Sequence, residues 1–169
     1  NSPFRVRAVP GPTVCAQSIS VALPTCVAGA MTNAPIFAKD RLGNQRVSGG
    51  DVFMASLELL ESPSTNETVK VSDNGDGTYK AMWVVTRAAR YRLWITGACG
   101  AIKGSPYPVQ CKPAHLAVTH SHLLGSGTVR AIAGVKTTFH VRARDAFDNT
   151  LVDDRYAWGA SLASSAVSW

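Results

Sequence analysis

Apolar residues along this chain alternate with polar ones in short runs, and no stretch holds them at the 3.6-residue spacing of a helix. The pattern predicts strands throughout and no helix. Over residues 69–71 and 79–83 the alternation puts Val69, Val71, Tyr79, Ala81 and Trp83 on one buried face. Between these runs lies Asp73-Asn74-Gly75-Asp76-Gly77-Thr78. Asn-Gly and Asp-Gly steps accept the positive φ of a two-residue hairpin, so the runs are expected to pair as antiparallel strands. Acidic residues ending in Gly also suggest a calcium loop, but the spacing argues against it. With Asp76 and Gly77 at the fifth and sixth loop positions, Ser72 falls first and Trp83 stands where a bidentate Glu is needed.

The same reading places further strands at residues 14–23, 30–39, 52–60, 91–96 and 107–111. Ala34, Ile36 and Ala38 point inward from the second, and Phe53, Ala55, Leu57 and Leu59 share one face of the third. Pro35 cannot donate to a ladder, so a bulge or early break is expected there. Later runs at residues 116–120 and 138–144, with a weaker one at 156–162, repeat the pattern.

Separated segments, in a fixed order, carry a resemblance. Ala38-Lys39-Asp40-Arg41-Leu42-Gly43-Asn44 comes first, followed by Asp73 to Tyr79 and then Tyr91-Arg92-Leu93-Trp94-Ile95. Gly104-Ser105-Pro106-Tyr107-Pro108-Val109 closes the set. Together they resemble the filamin-type immunoglobulin-like repeat, with Tyr107 where that family usually has Phe. Residues 86–90 depart from it by lacking the usual Pro and Gly, which bears on the local turn. The resemblance implies an all-β chain of immunoglobulin-like (filamin-type) β-sandwiches.

Internal repetition extends this reading. Asn1-Ser2-Pro3-Phe4-Arg5-Val6 matches Gly104 to Val109, with Ser2 and Ser105 103 positions apart. Asp145-Ala146-Phe147-Asp148-Asn149 matches Asp40 to Asn44 at a spacing of 105. A period of about one sandwich predicts tandem units. Residues 1–10 are then the last strand of a preceding repeat, 11–112 a complete repeat, and 113–169 the first part of a following one.

Composition fits a globular β protein, with 46% hydrophobic and 17% charged residues. No run approaches the ~20 apolar residues of a membrane span and no leader opens the chain, so membrane attachment is expected only through segments outside it. The net charge of +6 is spread along the sequence, with Arg87, Arg90 and Arg92 the tight group. Nucleic-acid binding calls for aromatic platforms beside a basic stripe, and the alternation leaves only Trp94 outward. His120 and His122 share one face of an expected strand, yet no third ligand stands beside them. Gly125-Ser126-Gly127 lacks the strand-to-helix setting of a hydrolase nucleophile, and Glu58 and Glu61 form no evident acid/base pair. The expectation is therefore a non-enzymatic protein without cofactor or metal, whose partners are proteins.

The resemblance also orders the cysteines. In an immunoglobulin-like sandwich the first strand starts at the same end as the loop joining strands six and seven, which implies Cys15 with Cys99. The opposite end then holds Cys26 and Cys111. The alternative is four reduced cysteines in a cytosolic repeat. Asn66-Glu67-Thr68 is an N-glycosylation sequon in an expected polar connection, and with paired cysteines it favours the cell exterior. Two settings follow: an extracellular adhesion protein, such as the gamete-surface proteins that carry filamin-like repeats, or an intracellular scaffold of the cytoskeleton or cilium. Filamin-type repeats capture an extended segment along the edge of strands three and four. Here that implies residues 52–60 and 68–72, with Met54, Ser56 and Leu60 outward beside Val69 and Val71. The alternative is an edge that is solvated or packed on a neighbouring repeat.

Overall fold

The computed structural model describes residues 3–21, 25–61, 65–152 and 158–159. The alternating runs become β1 (Ile19–Ser20), β2 (Cys26–Val27), β3 (Thr32–Phe37), β4 (Phe53–Leu59), β5 (Asn66–Asp73) and β6 (Thr78–Trp83). They continue as β7 (Arg90–Gly97), β8 (Gly100–Ala101), β9 (Tyr107–Lys112), β10 (His122–Leu124) and β11 (His140–Arg142). Helical structure among the described residues is confined to 3₁₀ turns at Val118–His120 and Ser126–Thr128.

β1 to β9 form one curled sheet in the order β1-β3-β6-β5-β4-β7-β9-β2, with β8 paired to β7. The curl closes around a core in which Ala34, Ile36, Leu57, Ala81, Leu93 and Ile95 are wholly buried. Each large aliphatic side chain removed from water in this way contributes about 1.5–3 kcal/mol. Phe53 meets Tyr79 edge to face with ring centroids 4.7 Å apart.

β5 makes the curl possible. Its first half pairs with β4, from Asn66 opposite Glu58 to Val69 opposite Ala55. Its second half pairs with β6, from Lys70 opposite Met82 to Asp73 opposite Tyr79. The strand thus leaves one layer at Val69 and joins the other at Lys70.

Several local expectations change. The run 14–23 is not one strand: Thr13 bridges Asp40, the chain turns, and only Ile19–Ser20 pairs with β3. Its last residues, 22 and 23, lie outside the described residues. β2 then pairs in parallel with β9, so the start of the unit touches both layers. Pro35 causes neither bulge nor break, since β3 runs in continuous register from Thr32 opposite Trp83 to Phe37 opposite Thr78. The carbonyl of Pro35 accepts from Ser20 Oγ at 2.7 Å, so its main chain faces the short edge strand β1 and its missing N–H interrupts no bond to β6.

The Asn-Gly turn is a four-residue connection between β5 and β6, not a two-residue one. Asp73 Oδ1 accepts from Gly75 N and Asp76 Oδ1 from Thr78 N, while Gly75 and Gly77 take φ of 81° and 83°. After residue 112, the run 116–120 ends in a 3₁₀ turn, and β10 pairs with β11 instead. His120 and His122 therefore do not share a strand face. The expected run 156–162 lies outside the described residues, apart from positions 158 and 159.

Candidate protein-binding surfaces

Antiparallel pairing turns the main-chain groups of successive residues to alternate sides. Leu59 N donates to Thr65 O, so Thr65, Glu67 and Val69 face β4, while Asn66 and Thr68 face away. Asn74 N donates to Thr78 O, so Lys70 and Ser72 face β6. Val71 and Asp73 consequently face the side that β4 has left, and the sheet ladders give their main-chain groups no partner. Ladder partners are likewise missing on the outer side of Asn66 and Thr68, because β6 has already ended there.

The expected edge residues separate accordingly. Ser56 lies between Thr68 of β5 and Trp94 of β7, and Val69 is buried opposite Ala55, so β4 is no open edge over residues 55–58. This corrects the sequence expectation; the cause is the handover along β5, which alternation cannot reveal. Val71 is half-buried and stands on the unpaired side, while Met54 is 65% exposed and Leu60 is exposed beyond the end of β4. At the upper end of the gap the Gly50 N–H donates to the Asp73 side chain, at Oδ2, over 2.7 Å.

Cys15 is bonded to Cys99 and Cys26 to Cys111, with no free cysteine. The first bridge ties the turn before β1 to the β7–β8 hairpin, and the second joins β2 to β9. Asn66 is exposed, but it opens β5 instead of lying in the preceding connection. Trp94 is exposed as expected, and its indole N–H donates to Glu58 Oε2 at 2.9 Å. An acidic cap of this kind opposes a phosphate backbone.

Two aspartates organise the starts of consecutive stretches, and alternation gave no sign of them. Asp40 accepts from the N–H groups of Gly11, Leu42 and Asn44 and from Asn44 Nδ2. The Asn44 amide leads in holding its carboxyl down to about 2; burial opposes this, and the three main-chain donors reinforce it. Asp145 accepts from the N–H groups of Ala114, Phe147 and Asn149 and from Asn149 Nδ2. Burial raises the Asp145 carboxyl, but these four donors outweigh it and keep the group ionised below the usual range. The serines behave alike: Ser18 Oγ donates to Val14 O and accepts from Lys39 N, as Ser121 Oγ does with Ala117 O and Arg144 N.

Residues 86–90, which depart from the family pattern, are held by the side chains of Tyr91 and Asn149. Tyr91 Oη donates to the carbonyl of Arg87 at 2.8 Å, closing a tyrosine corner at the start of β7. Asn149 Oδ1 accepts from Ala88 N and Asn149 Nδ2 donates to Thr86 O.

The filamin/ABP280 repeat model matches residues 8–108, more than half of the chain. The flagellar outer-arm dynein alpha chain of Chlamydomonas reinhardtii is 32% identical over 108 residues, covering 60% of this chain and 2% of that protein. The Lin-41 filamin domain superposes with a TM-score of 0.52 at 13% identity, covering 60% of this chain and 98% of that domain. Invasin, a bacterial integrin-binding protein, superposes with a TM-score of 0.64 at 16% identity over 84% of this chain and 29% of its own.

Proposed function

Because the chain belongs to the filamin/ABP280 repeat family, we propose that it is a non-enzymatic spacer and protein-binding module of tandem repeats, set in a cell-surface adhesion protein. The observation that carries the binding role is the handover of β5, which leaves the main chain of Val71 and Asp73 without ladder partners. An extended segment of another protein adds a strand there, gaining main-chain hydrogen bonds, with Met54 as an exposed apolar contact at that end of β4, while Leu60 lies at the opposite end. Selection of extended peptides on the immobilised protein tests this. Val71→Pro removes the outward donor while sparing the bonds of Lys70 and Ser72 to β6, so selected peptides lose binding while circular dichroism still reports the fold, at a melting temperature lowered by the lost packing of Val71 on the core. Binding that survives Val71→Pro in a folded protein removes the edge from the account.

Two disulfides favour the cell exterior, and the exposed sequon at Asn66 fits that setting. The likeness to invasin, which runs past residue 112 in its coverage, is consistent with consecutive units of this fold. A second reading, an intracellular scaffold of the cilium, is favoured by the dynein match. Intact mass of the native material with and without reductant and glycosidase separates them: oxidised cysteines and a glycan on Asn66 support adhesion, and free thiols support the scaffold.

A further inference from the structure

The two aspartate cradles differ in what their turns touch. In the later one, the Asn149 side chain bridges to the carbonyl of Thr86 at 2.7 Å and the N–H of Ala88 at 2.8 Å. The Phe147 ring lies so close over Gly29 that a Cβ there would collide with it. This turn therefore clamps the unit before it through one apolar and two polar contacts. In the earlier cradle the turn has the same internal bonds, with Gly43 at positive φ where the later one has Asp148. Leu42, the counterpart of Phe147, is 79% exposed. Asn44 Oδ1 accepts no hydrogen bond among the described residues.

A second, independent observation identifies what belongs there. Phe4 and Val6 are 94% and 91% exposed, whereas their counterparts 103 positions later, Tyr107 and Val109, pack on or within the core. Five positions separate Val6 from Gly11 and Val109 from Ala114, and both Gly11 and Ala114 donate to their cradle aspartate. A strand containing Phe4 and Val6, packed in a repeat of this fold, thus enters the Asp40 cradle with the same reach as β9 enters the Asp145 cradle.

The geometry points to the Leu42–Asn44 turn as the docking surface for a preceding filamin-type repeat of the same polypeptide, an inference that rests on the tandem reading above. Asn44 bridges the main chain of the preceding repeat at the positions of Thr86 and Ala88, and Leu42 covers the position of Gly29. Consecutive units are then held at a fixed angle by a side-chain clamp and do not swing freely on residues 7–10.

Amide hydrogen exchange on the full-length polypeptide tests it, comparing wild type with Leu42→Asp and Phe147→Asp. Leu42 makes little contact within its own unit, so its replacement leaves that fold intact. Free exchange at Phe4 and Val6 in the wild type overturns the tandem reading, and the clamp with it. With those amides protected, the clamp predicts that Leu42→Asp speeds exchange roughly tenfold in the preceding repeat at the residue equivalent to Ala88, as Phe147→Asp does at Ala88 itself. Unchanged protection in Leu42→Asp, with Ala88 released by Phe147→Asp, overturns the clamp alone.

Discussion

Cys26 and Cys111 are joined twice, as disulfide partners and as facing residues of the parallel pair β2–β9. The covalent bond thereby fixes the register of a two-residue strand that backbone pairing alone would hold weakly. Cys15–Cys99 performs the same task at the turn before β1. The bridges close stretches of 84 and 85 residues, and the loop-entropy argument gives each about 4.5 kcal/mol as an upper value.

Replacing Cys26 and Cys111 together by Ala should therefore lower unfolding free energy by about 2–4 kcal/mol, read by urea titration under oxidising conditions. Reductant should destabilise the wild type by more than this and the variant by less than it does the wild type.

Gly75 and Gly77 share a positive φ but not a neighbourhood. A Cβ on Gly75 meets open space, and one on Gly77 runs into the main chain of Arg46. Gly75→Ala should cost about 1 kcal/mol and Gly77→Ala clearly more, measured as a difference in urea midpoint.

Removing the Tyr91 hydroxyl leaves the carbonyl of Arg87 without its 2.8 Å donor. Tyr91→Phe should cost about 1–2 kcal/mol of stability without altering the fold, by thermal unfolding and circular dichroism.

Asp40 titrates at about 2 in the folded chain and near the ordinary value of about 4 when unfolded. Its charged form is the one the donors favour, so its contribution is present in full above pH 4 or so and is lost as pH falls toward 2. Asp145, also lowered, acts in the same direction. Stability measured between these limits should fall with acid, and Asp40→Asn should be less stable at neutral pH with a flatter acid limb.

The parts of this fold that depend on local pattern were legible in the sequence. Alternation placed β3, β4, β6, β7 and β9, and the glycines of residues 73–78 placed a reversal, because side-chain period and positive φ are properties of a few adjacent residues. The disulfide partners followed only from the family's sandwich topology. What escaped depends on distant segments. Nothing in Val69 or Lys70 announces the change of partner along β5, and nothing in residues 14–27 announces that the chain touches both layers. The exposed edge was accordingly placed on Ser56, which two neighbours cover, and not confined to Val71 and Asp73. Asn44 and Asn149 are family motif positions, but the bonds of Asn149 to Ala88 and Thr86 join segments 61 and 63 residues apart, which no local pattern encodes.

The most direct test of strand addition is residue-resolved amide exchange of the protein with and without a selected extended peptide. Added protection at the Val71 and Asp73 amides, with Lys70 and Ser72 already slow in the free protein, is the predicted result. Protection that appears along β9 or β10 and leaves Val71 and Asp73 unchanged would contradict it.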